Sequence, residues 1–175
     1  HPPFHGEQPK WSAGHVGEPD DGMLPDPFFG SQYDIFASHR VEDFQPRRDI
    51  VMRGLNKIDE ITCQTPLGAV YVFPNITGVL EHLGGFDMFE SLPEEIRAKS
   101  SPATLLQLFL LYSYRVATMD RRSFGILGSE GENYLRLSIA TGEGDLREAI
   151  GRMAAAAEDG RGFAAFVKSA RRLTL

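Results

Sequence analysis

Hydrophobic and polar positions along the chain fall into two regimes. Over residues 1 to 35 the apolar side chains (Phe4, Trp11, Val16, Met23, Leu24, Phe28 and Phe29) follow neither a helical nor a strand period. From Phe36 the pattern sharpens. Asp43 is suited to capping a helix that tolerates Pro46 in its first turn. Phe44, Val51, Leu55 and Ile58 then share one helical face. Ile61 to Gln64 reads as a short extended piece, Thr65 to Gly68 as a turn with proline second, and Ala69 to Pro74 as a β-branched and aromatic strand. The two extended pieces predict a hairpin. A short helix is expected around Asp87 to Leu92.

Ser101 followed by Pro102 places a capping residue before a proline at the first helical position. The helix it opens, through LLQLFLLY, is apolar on most faces and therefore expected to be buried. Arg115 to Met119 and Asn133 to Ala140 predict two more strands. In the second, Tyr134, Arg136 and Ser138 alternate with Leu135, Leu137 and Ile139. Helices are expected at Asp145 to Ala157 and near Phe163 to Arg172. This order predicts an α+β fold, a small, mostly antiparallel sheet covered by helices.

Composition supports a folded body behind an unusual start. Of 175 residues, 42% are apolar and 10% aromatic, which excludes wholesale disorder. Residues 1 to 30 nevertheless hold 6 of the 11 prolines and 5 of the 18 glycines, a density that opposes regular structure. Residues 1 to 35 also carry six acidic side chains against Lys10 alone, which is −5 of the net charge of −6. They read as a Pro/Gly-rich acidic arm, with the domain proper at 36–175. The acidic balance argues against a nucleic-acid partner, which needs clustered Lys and Arg. The apolar run from Leu105 to Leu111, interrupted by Gln107, is too short to span a membrane. Cys63 is the only cysteine, so no intrachain disulfide is possible and a cytoplasmic location is the simplest expectation. The chain begins at His1 without an initiator Met and reads as a fragment of a longer protein.

Candidate chemistry narrows to one residue. His1, His5 and His15 lack metal-ligand spacing, and His39 and His82 have no evident carboxylate partner. Cys63, on an expected strand, reads as a small core hydrophobe. No metal site, catalytic residue or cofactor-binding residue is nominated. Arg136 differs, because it interrupts a strand that otherwise reads as core. A desolvated guanidinium needs an anion, and its planar fork suits a carboxylate gripped by two parallel hydrogen bonds. The partner is either a carboxylate of this chain, such as Glu130 or Glu132, or an external one.

Three segments bear a resemblance that bears on this choice: RRDIVMRGLNKI, TPLGAVYVFPNITG and MDRRSFGILGSEGENYLRLSIATGEGDLREAIGRM. In this order and at these separations they resemble the C-terminal portion of class I/II, fold-type-I pyridoxal-phosphate (PLP) aminotransferases, most closely the aspartate and aromatic group. The resemblance covers about residues 40 to 165, with YLRLSIA its strongest motif. It implies the small C-terminal domain of such an enzyme, with Arg136 binding the substrate's α-carboxylate. For the complete enzyme it implies transfer of an amino group between an amino acid and a 2-oxo acid, PLP as cofactor, and a homodimer. Val70 stands where the family's aromatic usually follows Gly-Ala. The family's Schiff-base lysine motif is absent, and Lys10, Lys57, Lys99 and Lys168 match no part of it, so this chain alone is expected to be inactive. The alternative is a stand-alone, non-catalytic α+β module of the same fold that binds a partner.

Overall fold

The computed structural model describes residues 44–125 and 131–169. The acidic arm, His39, Asp43 and Glu130 lie outside them. Helix α1, over residues 44–55, buries Ile50, Val51, Met52 and Leu55, and Ile58 follows them into the core from the next turn. Strand β1 is Tyr71–Val72, β2 is Met119–Asp120 and β3 is Leu135–Ser138. They form one antiparallel sheet in the order β1-β3-β2, with Tyr71 opposite Ser138 and Met119 opposite Arg136. The helices α2 (Thr77–His82), α3 (Gly85–Glu90), α4 (Glu94–Arg97), α5 (Pro102–Tyr114), α6 (Glu143–Glu158) and α7 (Gly160–Ser169) complete the α+β fold expected from the sequence.

Helix α5 organises the core. Ser101 caps it in a reciprocal box with Thr104, and Pro102 supplies the pre-set φ of its first position. Leu105, Leu106, Leu108, Phe109 and Leu110 are buried, covering most of its faces, because α2, α3, α6, α7 and β2 all pack against it. Phe109 meets Phe163 and Tyr114 edge-on, each with ring centroids 5.3 Å apart. Beneath the sheet, Val72, Leu135 and Leu137 join the same core.

Several expected elements are shorter or shifted, each for a local reason. The expected hairpin reduces to one antiparallel bridge between Thr62 and Asn75. Asn56 takes the place of a strand beside Cys63, its amide donating to the Cys63 carbonyl (3.1 Å) and accepting from the Cys63 N–H (2.9 Å). Strand β1 pairs with β3 instead. The strand expected at Arg115 to Met119 is displaced, because Arg115 adopts left-handed φ +59° at the end of α5 and only Met119–Asp120 pairs. The helix expected around Asp87 starts earlier, at Gly85. Gly84, at φ +68°, makes the left-handed link from α2, a backbone that glycine adopts without Cβ strain. Helices α2 and α4 were not expected at all, being six and four residues long, too short to show a period.

Candidate functional site

Strand alternation sets the site. Leu135 and Leu137 point into the core, so Arg136 projects from the opposite, open face of the sheet. Met119, its register partner, projects on the same face, and Tyr71 follows from β1. The expectation that Arg136 is buried among core residues is thus corrected: it is half-buried on the outer face. Its guanidinium carbon lies 4.3 Å from the Tyr71 ring centroid and 4.2 Å from that of Phe124. One ring comes from the β1 side of β3, and the other from the turn that follows β2.

Along its edge, one terminal nitrogen (Nη2) of Arg136 donates to the Met119 sulfur at 2.8 Å. A thioether is a weak acceptor, so this bond leaves most of the guanidinium's capacity unused. No carboxylate of the described residues forms an ion pair with Arg136. Glu132, one of the two internal partners considered, is occupied elsewhere. It accepts from the Asn75 amide at 2.6 Å and the Thr77 hydroxyl at 3.0 Å. Those hydrogen bonds, Asn75's the larger, hold its carboxyl below the usual range.

The turn carrying Phe124 is anchored from below. It is a 3₁₀ turn, Arg121–Phe124, capped by Asp120, whose carboxylate accepts the Arg122 N–H at 2.8 Å. The same buried carboxylate accepts from the hydroxyls of Ser101 and Thr104, while the Asp120 backbone N–H donates to the Gln107 side-chain oxygen at 2.7 Å. Asp120 therefore ties β2 and the turn to the start of α5. Sequence reading missed both Asp120 and Phe124. The signal available was an aspartate two residues before a turn N–H that it could cap.

The other singled-out residues stand apart. His82 does have a carboxylate nearby, Glu158 at 3.9 Å, in an exposed pair. Cys63 is half-buried beside the core rather than in a strand, and burial pushes its thiol up to about 11. His1, His5 and His15 lie outside the described residues, as does Lys10. Among the described residues no group of three or more His, Cys, Asp or Glu is arranged to hold a metal ion, and no helix is long and apolar enough to cross a membrane.

Fold and site together define a class: a helix-covered antiparallel sheet that sets one arginine beside two aromatic rings. No protein-family profile matches the chain. Individual relatives do. The chain is 37% identical over 123 residues to the aspartate aminotransferase of Rhizobium meliloti (strain 1021), a match covering 70% of this chain and 26% of that protein. It is 34% identical over 124 residues to the aspartate/prephenate aminotransferase of Cereibacter sphaeroides, covering 70% and 26% respectively. Among solved structures, that of the aspartate aminotransferase from Rhizobium meliloti superposes with a TM-score of 0.52 at 33% identity, over 70% of this chain and 27% of that one. The aromatic aminotransferase from Pyrococcus horikoshii OT3 shares the fold, with a TM-score of 0.53 at 24% identity, over 76% and 29%. The relatives of this chain are thus aspartate aminotransferases, and it corresponds to a portion of them. It spans about a quarter of the length of the curated relatives it matches.

The family of those relatives implies PLP as cofactor. PLP is held through its aldehyde by a lysine amine. Lys57, Lys99 and Lys168 are all exposed, in the turn after α1, after α4 and near the end of α7. The described residues do not form a PLP site.

Proposed function

We propose that this chain is the C-terminal small domain of a PLP-dependent aminotransferase, with residues 36–175 as the domain. The complete enzyme moves an amino group between an amino acid and a 2-oxo acid, works as a homodimer, and holds its cofactor on residues beyond this chain. Within this reading Arg136 binds the substrate's α-carboxylate. The observation that carries the assignment is a guanidinium with no carboxylate partner among the described residues, presented on the open face of the sheet between two rings. Two parallel charge-assisted hydrogen bonds would fix both the position and the rotation of the bound carboxylate. The chemistry gains from that alignment, since a misdirected substrate reacts slowly however tightly it binds.

Arg136→Lys in the complete enzyme tests the assignment. It keeps the charge and loses the fork, so kcat/KM for amino acids should fall by about tenfold to a hundredfold, on the order of 1.5–3 kcal/mol. Amines without a carboxylate should be nearly indifferent. Equal losses on amines and amino acids, accompanied by a lower thermal midpoint, would mean a structural arginine instead.

A further inference from the structure

We propose that Phe124 and Tyr71 are positioning residues: they cover the guanidinium of Arg136 and present its N–H edge to an incoming carboxylate. The inference rests on the carboxylate-binding reading of Arg136 and goes beyond it, because it assigns the geometry of that site to two residues that need not touch the carboxylate.

Three observations carry it. The first is the pair of contacts, 4.2 Å and 4.3 Å from the guanidinium carbon to two ring centroids, delivered by separate elements on either side of β3. An arginine side chain on a sheet surface is otherwise free to rotate about its long stem, and ordering it is entropically costly. Cation–π contacts with rings from two elements hold it before any ligand arrives. The second is the placement of Phe124, which is 51% exposed and contributes nothing to the core cluster. Its described role is this contact, and the turn carrying it is fixed by the Asp120 cap and by Arg121 donating to the Gly125 carbonyl at 2.5 Å. The third is the edge itself. Rings beside the guanidinium discourage approach over its faces, whereas among the described residues its N–H groups donate only to the Met119 sulfur, which a carboxylate oxygen can replace.

The test uses the full 175-residue chain, with sodium acetate as the probe at constant ionic strength. In a ¹H–¹⁵N spectrum the Arg136 Nε–H signal is identified by its loss in Arg136→Lys. Ring currents should set it upfield of the other arginines. Phe124→Leu should move it toward them and weaken acetate binding at this signal by about twofold to fivefold, the equivalent of one exposed cation–π contact. Phe124→Tyr should restore both, and Tyr71→Leu should act in the same direction as Phe124→Leu. Because Phe124 is exposed, its replacement leaves the core intact, and an unchanged thermal midpoint confirms this. If Phe124→Leu leaves the signal in place, or shifts it without weakening acetate binding, the positioning role is overturned while the carboxylate reading survives. If the unaltered chain shows the upfield signal but no acetate response that Arg136→Lys removes, the carboxylate reading fails and the proposal with it.

Discussion

Removing the Asp120 carboxylate should destabilise this domain more than any other single polar change among its described residues. Asp120 is 5% exposed and Ser101 only 1%, so solvent cannot readily replace what is lost. The Ser101 and Thr104 hydroxyls lie 3.2 Å apart, where either can donate to the other, and both reach the Asp120 carboxylate. The Ser101 oxygen accepts the Thr104 N–H at 3.1 Å and the Thr104 hydroxyl oxygen accepts the Ser101 N–H at 3.1 Å. Both hydroxyl hydrogens are thereby free to point at Asp120, which also receives the Arg122 N–H. Hydrogen bonds to a charged acceptor contribute about 1.5–3 kcal/mol each, but they share one carboxylate and do not add fully. Asp120→Ala should therefore cost about 3–5 kcal/mol, comparable with stripping one partner from a buried ionic network. Asp120→Asn keeps one acceptor oxygen and should cost about 1–2 kcal/mol. Urea denaturation followed by circular dichroism measures both, as a lower midpoint at unchanged slope. A second signature is coupling: Ser101→Ala in the Asp120→Ala background should cost about 1 kcal/mol less than it does alone. A loss below about 1 kcal/mol for Asp120→Ala, or strict additivity with Ser101→Ala, would refute the role given to this carboxylate.

Two further outcomes are expected. Burial raises the Cys63 thiol from 9.0 to about 11, so the neutral form is the one favoured by folding; stability should hold below pH 9 and decline as pH rises from about 9 toward 11. Cys63→Ala should lose that decline, and an unchanged pH profile in the variant would count against it. Mixed with PLP and reduced with borohydride, the chain should show no stoichiometric labelling of a single lysine, because its described lysines are exposed and none has a pocket that would activate it as a nucleophile. Mass spectrometry finding one lysine fully modified would identify a cofactor site that the described residues do not suggest.

What the sequence made legible depended on length and on period. Helix α5 is long enough for its apolar run to declare burial and α6 for Leu146 and Met153 to declare a face, and Ser101–Pro102 marks a start that the structure places at the same residue. The alternation of Tyr134, Arg136 and Ser138 with the leucines was likewise readable, although Arg136 was expected to be buried and lies on the outer face. Strand pairing was not, because Asn56 competes for Cys63 through a side chain, and no periodicity in residues 61 to 74 encodes that. At the site, Arg136 could be singled out from the sequence, but its surroundings could not. Phe124 reaches it from a turn whose path is set by Asp120, and Met119 by register, both consequences of long-range packing.

The strand order also has a temporal consequence. Among the described residues neither β1 nor β2 has a paired strand other than β3, which follows both in sequence, whereas α1 to α5 are closed by local hydrogen bonds. Pairing Tyr71 with Ser138 requires closing a long stretch of chain, an entropic cost met only once the intervening helices have condensed it. A chain emerging from the ribosome would thus hold most of its helices before it held any sheet. Arg136, Met119, Tyr71 and Phe124 would come together in a single late event, as the one strand between them docks.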